Sequence, residues 1–506
     1  MTAIRNLRSG VCLSSLFAVV MNLSGCIDSR GITPQADTFN DAGLVSDEAI
    51  RKAAEEARWP ELQWWRAYKD PQLDSWIRQA LEHSPDLAQA RARVRLAESM
   101  AGVAASYEGA QLDFDAEVQR KRWPDDRFYG NPSIFPKRHS WNNSFNLRLV
   151  YDLDIWGQLR KNEQRALDMA KVVATEERAA ALELAGNIVY AYIQMARYYA
   201  ERDIVEDTLH QREELLELAR KHLKMGLGTQ LEVTEAEAPI PDVKRQLDMV
   251  EEGIALARNQ LAALAGKGPG AAAVLKRPLL SLHVEPALPS SLPLELVGHR
   301  PDVVASRWQV AAEARGIEVA KADFYPNINL AAALGNISTQ GGVLNFLGGP
   351  WMNALSTAMS LPVFDSGQRR GNLSAATARY DMAVEQYNQT LVMAVKEISD
   401  FLIELHSLHE QEEFIAEALE TAHRRCELAE DAYRRGLTDY RRVLEAQTEL
   451  FKQQRLREQI VAAHLATQAK LWVALGGGML DDKDSRPAAE ELKPRDVHLR
   501  NIFSLD

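Results

Sequence analysis

One very long helical pattern in the C-terminal half constrains this chain most. No proline occurs from Gln368 to Arg434, and at a rise of ~1.5 Å per residue a helix over this span is a rod of roughly 100 Å. Apolar residues recur along it at steps of three and four, the spacing of a coiled-coil seam. They are Val384, Tyr387, Leu391, Val395, Ile398, Leu402, Leu405, Leu408, Ile415, Leu419, Ala422, Cys426, Ala429 and Tyr433. The chain must therefore fold around an elongated helical element.

The same pattern occurs twice, 210 positions apart. Gly157 before the first rod matches Gly367 before the second, and Gly226 after the first matches Gly436 after the second. The positions of the first rod that lie 210 residues before the seam residues from Ile415 to Tyr433 are apolar except for Arg212. Self-similarity at a fixed period indicates a tandem duplication.

The duplication predicts the domain boundaries. An N-terminal segment (26–83) precedes repeat 1 (84–265), a Gly/Pro-rich connector (266–297), repeat 2 (298–476) and a polar tail (477–506). Each repeat opens with a short helix at a Pro-Asp pair. In repeat 1 we predict strands at about 111–120 and 143–154, a long helix over 158–224 and a return helix over 229–265. In repeat 2 the equivalents are about 327–335, 352–364, 368–434 and 439–475. A short helix and a return helix together match one long helix, so we expect the two to stack end to end beside it, with a kink at Pro239 and Pro241.

Residues 1–25 have the pattern of an export signal. A basic start precedes an apolar run, Val11–Met21, that is too short to cross a bilayer as a helix. The run ends at Leu23–Cys26, which resembles the bacterial lipobox and implies cleavage before Cys26 and its acylation. Several acyl chains give firm anchoring, and Ile27 in place of aspartate favours the outer membrane. The alternative is an ordinary secretory signal with an incidental cysteine.

Composition and motifs exclude several function classes. A formal net charge of −12 argues against a nucleic-acid partner. No Gly-rich phosphate loop with lysine and no catalytic constellation occurs. His406 and His409 lie one turn apart, but without further ligands they indicate a solvated helix face rather than a metal site. We therefore expect neither enzyme activity, nor a cofactor, nor a metal.

The strand segments alternate between apolar and polar residues. Leu112, Phe114 and Val118 alternate with acidic and amide side chains, and Trp141 and Trp351 stand at matching strand starts. Such segments with aromatic ends are typical of a transmembrane β-barrel, although a small soluble sheet on the helices would show the same alternation.

Geometry favours the barrel. Four strands cannot close one, and open edges are not tolerated in lipid, so several chains must share it. Three copies would supply 12 strands; two or four copies remain open. The loops 121–140 and 336–350 would then face outside the cell.

The motifs together resemble the outer-membrane efflux protein family, that of TolC and OprM. They are the lipobox, the Trp-Trp…Asp-Pro opening at 64–71, the Pro-Asp helix starts at 85 and 301, Leu-Asp-Ile-Trp-Gly-Gln at 153–158, Pro-Val-Phe-Asp-Ser-Gly-Gln at 362–368 and the two Gly-Leu turns. The resemblance covers nearly all of 26–478. It implies a mainly α fold with a transmembrane β-barrel: a trimeric 12-stranded barrel continuing into a long periplasmic α-helical coiled-coil barrel.

The resemblance also implies a function and partners. The homotrimer would be the passive exit duct of a tripartite pump, lipid-anchored in the outer membrane and extending into the periplasm, and would work with a periplasmic adaptor and an inner-membrane RND-type pump. The adaptor would dock at the turns, which comprise Gly226, Leu227, Thr229, Arg435, Gly436, Leu437 and Thr438. Two alternatives stay open: a duct for protein secretion, and a periplasmic coiled-coil scaffold that never enters the membrane.

A periplasmic gate is predicted just inside the second turn, at Arg442 and Glu445. In the family these two positions are often both acidic; here the first is arginine, and its repeat mate is Glu232. Arginines around a narrow axis would repel one another unless paired, and would favour anions. The alternative is that Arg442 lies on an ordinary solvent-facing helix surface.

Overall fold

A computed structural model describes residues 29–39, 60–122, 139–280, 299–341, 343, 350–361, 364–478, 487 and 489–496. The predicted signal peptide, Cys26 and most of the loop 121–140 lie outside these residues. None of the helices in this part of the chain is both long enough and apolar enough to cross a membrane.

The chain forms eight regular helices and four strands over the described residues. In order they are α1 (Pro71–His83), α2 (Pro85–Ser106), β1 (Gln111–Arg122), β2 (His139–Asp152), α3 (Gln158–Lys224), α4 (Gln230–Glu237), α5 (Ile240–Leu264), α6 (Pro301–Ala322), β3 (Asn327–Gly341), β4 (Trp351–Ser360), α7 (Gln368–Arg434) and α8 (Tyr440–Ala474). The two long helices α3 and α7 thus span the ranges 158–224 and 368–434 predicted from the sequence. Two hairpins result: hairpin 1 is α3 with α4 and α5, and hairpin 2 is α7 with α8.

The first return helix is not continuous. It is divided into α4 and α5 at Ala238 and Pro239, which confirms the kink expected there. Proline lacks the backbone N–H that an intact helix needs and its ring crowds the preceding turn. Pro241 by contrast lies in the first turn of α5, where a missing N–H costs nothing. The second return helix, which has no proline, runs unbroken as α8.

The short helices stack on the return helices at glycine-closed junctions. Gly266, with φ +69°, ends α5, and a Cβ there would lie 2.6 Å from Cδ of Pro85 at the start of α2. Gly476, with φ +88°, ends α8 against the backbone of His299 and Arg300 at the start of α6. The end-to-end stacking expected from the helix lengths is therefore confirmed.

The four strands form one antiparallel sheet in the order β1-β2-β3-β4. Residues that face each other across the ladder are mostly alike in polarity. Leu112, Leu149, Ala332 and Leu355 form one apolar row, and Phe114, Leu147 and Leu334 form the next, which ends at the polar Asn353 in β4. On the opposite face Arg148 pairs with Asp113, Nη2 to Oδ2 3.7 Å. Since directly opposite residues point to the same face, the sheet has one apolar face.

Strand ends differ from the sequence-based bounds. β1 and β3 extend to Arg122 and Gly341, β2 begins at His139 and ends at Asp152, and β4 ends at Ser360. Cross-strand pairing explains the extensions, because Arg122 faces His139 and Trp141 faces Gly341. At these extended ends backbone pairing continues past the alternating residues, whereas β2 and β4 end before the alternation does.

The tail is more than a polar extension. Tyr380 of α7 donates to the carbonyl of Leu492, Oη–O 2.8 Å, and Leu492 is buried in the core between α6 and α7. Buried Arg315 of α6 pairs with Glu491, Nη2–Oε1 3.0 Å. Residues 489–496 thus contact α6 and α7, a contact that the sequence did not predict.

Candidate functional site: the hairpin tips

Both hairpins turn through the same backbone geometry. Gly226 has φ +75° and Gly436 has φ +71°, a left-handed conformation that side chains with a Cβ rarely adopt. In the first tip the N–H of Leu227 donates to the carbonyl of His222 at 2.9 Å, and in the second Leu437 donates to Ala432 at 2.8 Å. This is the bond from the second residue past the helix end that closes a Schellman motif. The duplication therefore extends to the turns themselves.

Each return helix begins with a side-chain cap two residues beyond the exposed leucine. Thr229 Oγ1 accepts from the N–H of Glu232 at 3.3 Å, and Asp439 Oδ1 accepts from the N–H of Arg442 at 3.1 Å. The cap of the second tip is thus Asp439, the residue after Thr438. Such a cap fixes the direction of the return helix by bonding an otherwise unpaired helix N–H.

The leucines of the two turns point away from the protein. Leu227 is 74 % exposed and Leu437 is 76 % exposed, and Met225 beside the first of them is also exposed. Arg435 at the second tip is exposed and pairs with Asp431, Nη2–Oδ2 2.6 Å. Each tip therefore presents an apolar side chain on a short turn that backbone hydrogen bonds close between two helix ends.

A buried apolar cluster, here called the tip cluster, lies directly behind the turns and joins the two hairpins. Hairpin 1 contributes Leu215, Leu216, Ala219, Val233, Ala236 and Ile240, and hairpin 2 contributes Tyr433, Tyr440 and Val443. The rings of Tyr433 and Tyr440 meet edge to face with centroids 5.9 Å apart. Sequence reasoning identified neither tyrosine as part of the tip; Tyr433 lay on the predicted seam, but nothing local showed that it contacts the other hairpin.

The predicted gate residues lie on both sides of this cluster. The Arg442 side chain is 70 % exposed and its Nη1 lies 3.7 Å from Oε2 of Glu445, which Arg441 also approaches, Nε–Oε1 3.4 Å. Glu232 is half-buried over Gly228, and burial together with the charge of Glu232 raises the pKa of Tyr433. Within the described part of the chain Arg442 and Glu232 form no ion pair, so the structure brings Arg442 to Glu445 only.

Sheet, rods and tips together define a class of protein. In the described part of the chain, a sheet with one mostly apolar face and two unpaired edges stands at one end. Two helical hairpins of roughly 100 Å extend from it, and exposed turns close the other end. This is the architecture of a bacterial outer-membrane channel subunit.

The family follows from comparison with known proteins. The family model described as outer membrane efflux protein matches residues 76–267 and 292–477. The chain therefore belongs to the outer membrane efflux protein family, and it is an efflux channel protein of the outer membrane. Members of this family are transport channels, in keeping with the expectation that the chain is not an enzyme.

Individual relatives agree with this assignment. The fusaric acid resistance protein FusA of Burkholderia cepacia is 46 % identical over 372 residues, which is 73 % of this chain and 70 % of the relative. The multidrug resistance outer membrane protein MdtP of Escherichia coli K12 is 28 % identical over 93 % of this chain and 97 % of the relative. The crystal structure of the outer membrane protein VceC of Vibrio cholerae has a TM-score of 0.76 at 32 % identity, covering 83 % of this chain and 100 % of VceC. The predicted fold class and resemblance are confirmed.

Proposed function

We propose that the protein is the homotrimeric exit duct of a tripartite efflux system that carries small organic compounds. A periplasmic adaptor and an inner-membrane pump of the RND type would deliver the compounds, and the duct would pass them without doing chemistry. The observation that carries the proposal is the pairing of an open, apolar-faced sheet at one end with apolar, solvent-exposed turns at the other. In the described part of the chain the sheet edges await further strands, and the exposed leucines of the turns await an apolar surface.

The sheet supports assembly from several copies. Among the described residues its outer strands β1 and β4 each have one unpaired edge, and large apolar side chains on them, among them Phe114 and Leu355, are exposed in the single chain. Lipid tolerates only closed barrels, and four strands are too few to close one. Joining β1 of one copy to β4 of the next removes both edges, and three copies give the 12 strands proposed here.

The tips support docking of the adaptor. A fully buried leucine contributes about 1.5–3 kcal/mol relative to an exposed one, and both turn leucines are mostly exposed in the free chain. Six such side chains on one trimer would form an apolar ring with a basic residue, Arg435, beside the second leucine. The partner suited to this end is a ring of hairpins that offers apolar pockets.

Two further features of the proposal concern the membrane and the cargo. Acylation of Cys26 would anchor each chain in the outer membrane. Because one relative is named for resistance to fusaric acid, we propose organic acids among the compounds exported. The exposed guanidinium of Arg442 near the tip would favour anions over cations.

The test is export by tip variants in a strain that lacks the native copy. Leu227→Asp and Leu437→Asp each place a charge where burial is required, so we expect at least tenfold greater susceptibility to fusaric acid and loss of adaptor co-purification. Leu437→Met is the matched control, because it keeps an apolar side chain of similar size, and should behave as the native protein.

Assembly must be measured in the same cells. Outer-membrane extracts of every variant should show the same heat-dissociable trimer band, since the exposed leucines contribute little to folding. Full export by both aspartate variants at normal trimer levels would place docking elsewhere. A native protein that yields no trimer band in outer-membrane extracts would refute the duct itself.

A further inference from the structure

A cavity lies at the waist of the chain, at the level where α8 ends against the start of α6. Its volume is about 530 Å³, and small-molecule sites in proteins measure roughly 300–1,000 Å³. Residues 62–65 and α1 line it from the N-terminal segment, α3 lines it from repeat 1, and Pro301 and Gly476 line it from repeat 2. We call this space the waist cavity. Three parts of the chain that are far apart in sequence therefore meet around one space of ligand size.

The walls of the waist cavity are mainly apolar and are held in place by the chain itself. The ring of Trp64 packs against those of Trp65 and Trp472, with centroids 6.0 and 5.5 Å away. Nε1 of Trp65 donates to Oδ1 of Asp74 at 3.1 Å, which fixes the second indole. Besides Trp64 and Trp65 the apolar lining comprises Leu62, Leu81, Ala181, Leu182 and Ala185. The walls are therefore formed without a ligand, as in most small-molecule sites.

Three charged residues, Arg78, Glu177 and Arg178, line the waist cavity among the described residues. Glu177 accepts from Nε of Arg91 at 3.4 Å, and Nη2 of Arg78 lies 3.3 Å from Oδ2 of Asp74. Arg178 is exposed, and within the part of the chain that the structure describes it forms neither an ion pair nor a hydrogen bond. A guanidinium stays charged in proteins. Over these residues the cavity therefore presents a permanent, uncompensated positive charge beside its apolar walls.

The combination of apolar walls and one free guanidinium selects a class of ligand. An aromatic or acyl group in the cavity would replace water on the indole and leucine side chains, which is favourable because apolar area leaves water. A carboxylate or sulfonate beside Arg178 would accept two parallel N–H donors from the guanidinium. A neutral compound would leave that group unpaired, and a cation would be repelled by it. The waist cavity is therefore suited to an organic anion with an apolar body.

We propose that the waist cavity binds an organic anion with an aromatic or acyl body, and that Arg178 holds its acidic group. Exported organic acids and fatty acids of the cell envelope share this chemistry. A bound ligand would contact the N-terminal segment, α3 and the start of α6 at once, so its binding should stabilise the waist. The site lies roughly 60 Å along α3 from the hairpin tips, and the proposal does not rest on adaptor docking.

The probe is 2-naphthoate, which combines fused aromatic rings with a carboxylate, and 2-naphthamide is its uncharged counterpart of the same shape. Binding is measured by isothermal titration calorimetry on the purified protein in an amphipathic polymer, which avoids free detergent micelles. We expect a single saturable site per chain for 2-naphthoate. Binding of 2-naphthamide should be about fivefold weaker, because it forms no ion pair with Arg178. The thermal midpoint should rise with the concentration of 2-naphthoate.

Arg178→Gln removes the charge and keeps a polar side chain at an exposed position. It should weaken binding of 2-naphthoate about fivefold and leave the affinity for 2-naphthamide within about twofold of native, a separation that a merely structural effect would not produce. Arg220→Gln is the matched control, because Arg220 is an exposed arginine of the same helix near the tips, and both affinities should stay native. Ala181→Phe places a ring in the cavity and should weaken binding of both probes about tenfold.

Competition against 2-naphthoate identifies the source of the ligand. Stronger displacement by fusaric acid assigns the cavity to exported organic acids, and stronger displacement by decanoate assigns it to acyl chains of the envelope. Displacement by neither would overturn the proposed ligand class. The proposal is also wrong if 2-naphthoate does not bind saturably, or if Arg178→Gln leaves its affinity unchanged. Every readout is a measurement on purified protein without export, so this proposal and that of the export duct can fail separately.

Discussion

Replacement of Asp70 by alanine tests how the middle of the protein is held together. Asp70 is 8 % exposed and caps α1, where its Oδ1 accepts from the N–H of Gln72 at 2.8 Å. Its Oδ2 accepts from the hydroxyl of Tyr192 on α3 at 2.8 Å and from the N–H of Leu279 after α5 at 2.9 Å. One carboxylate therefore joins three segments that are far apart in sequence.

The magnitude follows from the groups that Asp70→Ala leaves unbonded. Loss of a helix cap costs about 1 kcal/mol. Two donors in a mostly buried site, the hydroxyl of Tyr192 and the N–H of Leu279, each cost about 1–3 kcal/mol when their acceptor is removed. The free energy of unfolding should therefore fall by about 3–7 kcal/mol. Asp70→Asn keeps the capping oxygen but turns an amide donor toward two donors, so we expect an intermediate loss of about 2 kcal/mol.

The assay is denaturant unfolding of the purified protein in detergent, followed by circular dichroism. Asp86→Ala is the matched control, because Asp86 lies exposed in the first turn of α2 and contributes only its charge at a helix start. That control should lose about 0.3–1 kcal/mol. If Asp70→Ala lost no more than Asp86→Ala, the carboxylate would not hold the three segments together.

Three further predictions test other parts of the chain. Cys26→Ala should abolish metabolic labelling with a fatty acid while the protein is still exported, because the thiol is the proposed acylation site; label that persists on the variant would exclude lipidation there. Arg442→Ala should raise single-channel conductance in planar bilayers and reduce anion preference, and unchanged values would show that Arg442 does not line the constriction. Gly476→Ala should cost several kcal/mol more in unfolding free energy than Gly436→Ala, because a Cβ at Gly476 overlaps the carbonyl oxygen of His299. A Cβ at Gly436 would meet no described atom within 4 Å beyond its chain neighbours, so that variant loses only about 1–2 kcal/mol of backbone energy; equal losses would contradict this account.

The sequence determined the long helices, the turns and the repeat, because each depends on residues close together in the chain. The proline-free stretch between Gly367 and Gly436 gives α7 its bounds, and the missing N–H of Pro239 divides the first return helix. Gly226 and Gly436 mark turns that need a positive φ. Strand ends were less well predicted, since backbone pairing extends past the alternating residues, as at Arg122.

Only the tertiary structure decided which residues at polar or irregular positions of the sequence are buried. In the sequence Arg212 was a lapse in a seam, and the structure shows that it is buried against Thr448, 236 positions away. Leu492 stood in a polar tail, yet it enters the core and accepts a hydrogen bond from Tyr380. Helix period and turn conformation follow from neighbours within a few residues. Burial depends on which surfaces of distant elements meet, and a periodic pattern carries no information about that.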